Sequence, residues 1–344
     1  MGYTEKPLPR IEWIDLLRGF CMMAILWFHT EVYFTGQSLT PYELYVGNVL
    51  AVFFFLSGYL MLGRTFDIKQ RISSIILRLI IPYFVFTTII AVSKAILVHD
   101  NTTWKDIIIS IVSGHASWFI AALILSQLLF ILFLRITKGK IIWLSIIAIC
   151  CLVLSYFIGN AFKSYPCYYE QNIWHLNEAL LACFVLFTGY LYRKYESYFN
   201  NISILLSLFI IYIFLKIYII HTDAQLILGP IIVSNYPIFI VDLLCAVLLM
   251  AGIFKHLPSV RFIEWTGSHS LVYYFLCGAV PFIVSRLFHT TALPRQSYLS
   301  ILVVFCVVYI VSTLLTKIIY MIWPTLETKV SEPSHEAENV ASAE

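Results

Sequence analysis

The stretch Asp15-Leu-Leu-Arg18-Gly-Phe-Cys-Met-Met-Ala-Ile-Leu-Trp-Phe-His29 decides how the chain is read. It is apolar enough to cross a bilayer, yet it carries an arginine and a histidine. On an α-helix eleven residues advance about 16.5 Å and close about three turns, so Arg18 and His29 project from nearly the same face. Desolvating an ionisable group is costly unless it faces protein or water, so such a pair inside a span marks a functional site. A cation at the rim with a titratable base further in suits an anionic ligand that threads inward along one helix.

The rest of the chain resembles this stretch in hydropathy. Of 344 residues, 60% are hydrophobic and 12% charged, with a mean hydropathy of +0.87. A soluble domain carries about 25% charged residues, so composition predicts an all-α, polytopic membrane protein. Apolar runs of spanning length lie near 13–34, 44–63, 76–98, 117–136, 141–159, 175–193, 200–220, 237–254, 269–288 and 297–320, which makes ten spans. They form one transmembrane domain over 1–324, and the polar, acidic stretch 325–344 reads as a disordered tail. The segment 104–113 reads as an interfacial helix, and 225–234 as a re-entrant or loop segment ended by Gly229-Pro230. Met1–Arg10 is polar and the first run lacks a small-residue cleavage site, so no cleavable signal is expected. All cysteines but Cys167 fall in apolar runs, which predicts neither a disulfide framework nor a metal site.

Basic residues set the topology. Arg18, Arg64, Lys69, Arg71, Arg78, Arg135, Lys138, Lys140, Arg193, Lys194, Lys255, Arg261 and Lys317 all fall on one side of the ten-span map. The positive-inside rule makes that side, and both termini, cytoplasmic in an inner membrane. Because the cations encode topology, they do not describe a nucleic-acid surface. Arg18 then lies at the cytoplasmic rim and His29 at or beyond the midplane.

Further motifs fall in order. Phe53-Phe-Phe-Leu-Ser57-Gly58-Tyr59 ends the second span, where glycine lets either a helix or a ligand approach the backbone. Arg78-Leu-Ile-Ile-Pro82-Tyr83 opens the third, with Lys69 and Arg71 upstream; together with Arg18 these cations would form a phosphate-binding patch. Gly114-His115-Ala-Ser117-Trp118-Phe119 opens the fourth at the outer face. There Trp118 suits the aromatic belt and His115 an outer polar pocket.

Arg18 and His29 ten residues apart, Phe53–Tyr59, Arg78–Tyr83, Trp118-Phe119 and Gly267-Ser-His-Ser270-Leu-Val-Tyr-Tyr274 together resemble the acyltransferase-3 family of integral-membrane O-acyltransferases. The chain departs from that family's common pattern in having Cys277 where a histidine often follows the tyrosine, and Ile75 where a second arginine often precedes Arg78. The resemblance implies transfer of an acyl group, commonly acetyl, from cytoplasmic acyl-CoA to a hydroxyl of an extracytoplasmic glycan or lipid-linked sugar. No bound cofactor is implied, acyl-CoA being a substrate.

The residues read alone agree. Arg18, Arg78 and Arg71 would hold the donor phosphates, with Ser57 and Gly58 beside the donor. The pantetheine arm would run along the first span to His29, whose neutral imidazole would take the acceptor hydroxyl's proton. A covalent acyl-histidine is the alternative. Trp118, His115, Glu178, Asp242 and Tyr274 are the acceptor-side candidates. Glu31 lies about 200° around the helix from His29, which leaves Glu178 or Asp242 to orient the imidazole. A secondary transporter or flippase is the competing function; it would show internal repeats with matched helix breaks, and Pro82, Pro237 and Pro281 form no matched pairs. A non-catalytic polysaccharide-export partner would leave Arg18 and His29 without a task.

Overall fold

Among the described residues, ten long helices and a few short ones build a multi-pass membrane protein. The computed structural model describes residues 11–62, 68–98, 103–164 and 171–326. The readings of Met1–Arg10, Arg64, Cys167 and the tail beyond 326 fall outside the described residues. In chain order the helices are α1 (Glu12–Thr35), α2 (Val46–Met61), α3 (Ile68–Ile75), α4 (Ile81–Val98), α5 (Trp104–Val112), α6 (Trp118–Thr137) and α7 (Ile141–Ser164). Then come α8 (Leu176–Lys194), α9 (Glu196–Phe199), α10 (Ile202–Thr222), α11 (Tyr236–Phe254), α12 (Arg261–Ser268), α13 (Ser270–Phe288) and α14 (Tyr298–Ile322). Every apolar run read from sequence is a helix, displaced by a few residues at most.

Among the described residues, eight helical stretches are long and apolar enough to cross a membrane. Asp15, Arg18, His29 and Glu31 interrupt α1, and α2 has 16 residues, so these two fall short on hydropathy or length. Burial sorts the helices. Of the most apolar window, 72% is buried in α8 but only 17% in α10 and 22% in α7. The exposed face of α10 carries Leu206, Phe209, Ile210, Phe214 and Ile217, as a helix turned to lipid would. At the centre, α1 packs against α2, α11, α12, α13 and α14, and α2 against α8.

Two elements differ from their sequence readings. The segment 225–234 is neither re-entrant nor irregular: Leu226–Leu228 and Ile231–Val233 form an antiparallel hairpin, β1 and β2, turning at Gly229-Pro230. Three-residue strands are too short to display an alternating pattern. The chain entering the third span is continuous helix from α3 into α4 through a π-turn over Ile76–Ile80, which contains Arg78. The predicted interfacial helix is α5, begun by a reciprocal Thr103–Asp106 capping box. The Thr103 hydrogen bonds hold the exposed Asp106 carboxyl below its usual range. Trp104, Ile108, Ile109 and Val112 are exposed, as a helix lying in an interface requires.

Candidate active site

Helix α1 carries the site because its neighbours close over its small residues. A side chain at Gly19 would collide with the Ile263 carbonyl of α12, and one at Gly267 with the Asp15 carbonyl, so α1 and α12 meet backbone to backbone. This contact fixes the end of α1 that holds Arg18. The Arg18 guanidinium lies 3.9 Å from the Asp15 carboxylate and keeps 27% of its side chain exposed. At the same end of the bundle Arg71 donates to the Met61 carbonyl at 2.8 Å, and Arg78 is exposed on the π-turn. Lys255 is buried nearby, paired to Glu196 at 2.6 Å and set among the rings of Trp13, Tyr59 and Tyr192.

Further along α1, His29 is partly accessible and sits among aromatic side chains. Its ring stacks on Tyr33 at 6.0 Å and meets Phe28 edge-on at 5.6 Å. Tyr33 continues to Phe282 of α13, and Phe28 to Tyr42 in the turn before α2. Tyr42 in turn lies in electrostatic reach of Tyr274, whose hydroxyl sits beside Ser117 and the Phe119 amide. Cys277 lies within reach of both Tyr33 and Tyr274. Burial pushes the Tyr42 phenol up, against a hydrogen bond to the Leu228 backbone, so Tyr42 is a neutral hydroxyl at working pH. Pro281 in α13 lacks the amide that would bond the Cys277 carbonyl.

His29 makes no hydrogen bond among the described residues, and neither Glu178 nor Asp242 reaches it. Glu31, fully buried, accepts from the Thr40 amide instead and ties down the loop after α1. His29 thus sits among aromatic rings, with the Tyr33 and Tyr42 hydroxyls in the same cluster.

The outer-face candidates divide into two groups. His115, Trp118 and Glu178 converge. The rings of His115 and His175 are 5.2 Å apart, and Trp118 lies 6.4 Å from His175. Glu178 approaches His175 at 3.5 Å, accepts from Asn172 at 2.8 Å and from the Ile231 amide at 3.3 Å. Trp174 and His175 both hold left-handed backbone, at φ 54° and 51°, a strain that needs such dense bonding to persist. Asp242 stands apart. It pairs with Lys216 at 2.8 Å between α10 and α11, and Lys216 also donates to the Glu43 carbonyl. That link anchors the turn bearing Tyr42.

Ser57 and Gly58 face packing partners. Ser57 bonds the Phe53 carbonyl and receives Gln127, and Gly58 lies against the Leu186 carbonyl of α8. Sequence reasoning missed Tyr42, Asn172 and the Lys216 partner of Asp242. Each acts from a different helix or loop than the motif it supports, so no local spacing announces it.

A family model described as an acyltransferase domain matches residues 11–321. No curated protein and no solved structure matches the chain.

Proposed function

The chain belongs to the acyltransferase-3 family of membrane acyltransferases, and from that premise we propose that it moves an acetyl group from cytoplasmic acetyl-CoA to a hydroxyl of an extracytoplasmic glycan or lipid-linked sugar. The observation that carries this reading is the pair Arg18 and His29 on one helix, the first at the rim and the second among aromatic rings. The positive-inside count puts the Arg18 end, with Arg71 and Arg78, on the cytoplasmic face of the inner membrane. Guanidinium groups there suit the donor phosphates through charge-assisted, bidentate hydrogen bonds. The pantetheine arm is slender and uncharged, and a path along α1 brings its thioester to His29.

In the proposed step the His29 imidazole takes the proton of the acceptor hydroxyl as that oxygen attacks the thioester carbonyl. The developing oxyanion is met by a tyrosine hydroxyl, for which Tyr33, Tyr42 and Tyr274 are the candidates. Collapse breaks the C–S bond, and the imidazolium returns its proton to the leaving thiolate. His115 and Trp118 serve the acceptor side, with the buried Glu178 holding His175 behind them. Purified protein in proteoliposomes, given acetyl-CoA with a labelled acetyl group and a saccharide acceptor, tests the reading. Label on the saccharide supports it, and uptake of intact saccharide without label transfer supports a transporter instead.

A further inference from the structure

Beside the hairpin, at the end of the bundle opposite Arg18, lies a cavity of about 360 Å³. That volume is within the ~300–1,000 Å³ typical of small-molecule sites. Its walls are Tyr156, Gly159 and Asn160 from α7, Ser234 and Asn235 from the segment joining β2 to α11, and Tyr236 at the start of α11. None of its nine lining residues is charged. The rings of Tyr156 and Tyr236 meet at 5.0 Å and 63°, which fixes two aromatic surfaces at the wall. The Asn160 side chain is exposed and makes no hydrogen bond among the described residues.

The amide oxygen of Asn235 caps α11 by accepting from Ile238, which leaves its NH₂ group to donate outward. Beneath the floor lies a second, independent signal. Asn177 is 1% exposed, and its amide nitrogen has no hydrogen-bond partner among the described residues. A buried donor in that state is destabilising unless a ligand or water meets it. A side-chain carbon at Gly159 would sit 3.5 Å from that nitrogen, so the missing side chain opens the floor toward it.

We propose that this cavity is a binding subsite for a neutral saccharide unit of the acceptor glycan. The class follows from the walls. Ring faces carry negative charge and attract the polarised C–H groups of a pyranose. Amides and a hydroxyl match its oxygens, and among the described residues no cation lines the wall to hold a uronate or phosphate. The hairpin links the subsite to the His175–Glu178 group: Ile231 lines the cavity while its amide is held by Glu178, which also holds His175. A unit bound here would place the next unit of the chain toward His115 and Trp118.

The inference rests on the glycan-acceptor reading, so its test separates binding from transfer. Full-length protein in lipid nanodiscs is titrated with short cello-, galacto- and N-acetylchito-oligosaccharides, and with oligogalacturonates as the anionic comparison. The expected result is saturable binding of at least one neutral series, weakened about tenfold or more by Tyr156→Ala and by Asn160→Trp, with thermal unfolding unchanged because both side chains are exposed. No neutral binding, binding indifferent to both variants, or a preference for oligogalacturonates overturns the subsite. Labelled acetyl transfer to the bound sugar is scored separately. Binding without transfer sinks the acceptor reading and leaves the subsite; transfer undiminished by Asn160→Trp does the reverse.

Discussion

Gly58 of α2 and Gly189 of α8 are the two halves of one helix crossing. A side-chain carbon at Gly58 would fall inside the Leu186 carbonyl, and one at Gly189 inside the Phe55 carbonyl. Without a hydrophobic drive between helices in lipid, close approach of this kind is how spans are held together. It explains why α8 is the most buried of the candidate spans and why Gly58 stands in the motif that ends α2.

Gly58→Ala or Gly189→Ala should therefore destabilise the detergent-solubilised protein by about 1–3 kcal/mol, the usual cost of overpacking a tight contact. Thermal unfolding followed by size-exclusion fluorescence checks this. The protein that survives should keep its acyl-CoA KM. A raised donor KM at unchanged stability would instead make Gly58 a donor contact.

Much of this architecture is legible in the sequence because length and hydropathy are enough to specify a span. Neither specifies what a span meets. The hairpin at 226–233 escapes because each strand is three residues long, and α12 escapes because its eight residues mix Arg261 and Glu264 with Trp265 and Gly267. Arg18 and His29 are visible since a charged rim and a titratable base interrupt an apolar run. Their surroundings are not, since Tyr42, Cys277 and Phe282 come from elsewhere in the chain and only folding brings them to α1.

His29→Ala should reduce acetyl transfer by about 10²–10⁴-fold, the range expected for a positioned general base, with membrane expression and thermal stability intact. No hydrogen bond depends on this side chain among the described residues, so its loss leaves no partner stranded. Activity within tenfold of the parent protein would remove His29 from the chemistry.

The buried pair Lys216–Asp242 predicts a pattern of three variants. Lys216→Met or Asp242→Leu alone strands a charge among apolar helices and should cost about 3–5 kcal/mol, whereas the double variant should recover most of that stability. Because Lys216 also holds the Glu43 carbonyl, the double variant should still loosen the turn bearing Tyr42 and lower kcat. Full recovery of both stability and kcat would confine the pair to a packing role.

Arg18→Lys retains the charge and loses the planar fork, so donor use should weaken chiefly as a raised KM for acyl-CoA, with kcat changed less. Steady-state kinetics in proteoliposomes over both substrates checks it. If the acceptor KM rises while the donor KM stays, the donor enters from the other end of α1.

That direction can be tested without any turnover. Acyl-CoA does not cross a bilayer unaided and a surface glycan is reached only from outside, so the proposed site must open to both faces. Gln70 in α3 lies at the Arg18 end, and Gln171 precedes the Trp174–His175 turn at the other; both are exposed. In a background with Cys150, Cys167 and Cys306 replaced, single cysteines at Gln70 and Gln171 should respond oppositely to an impermeant thiol reagent on intact cells. Gln171→Cys should label at once, and Gln70→Cys only after the membrane is permeabilised, because the positive-inside count places α3 in the cytoplasm. Labelling of Gln70→Cys on intact cells would turn Arg18 away from the acyl-CoA pool, and transfer through the membrane along α1 would then have no donor.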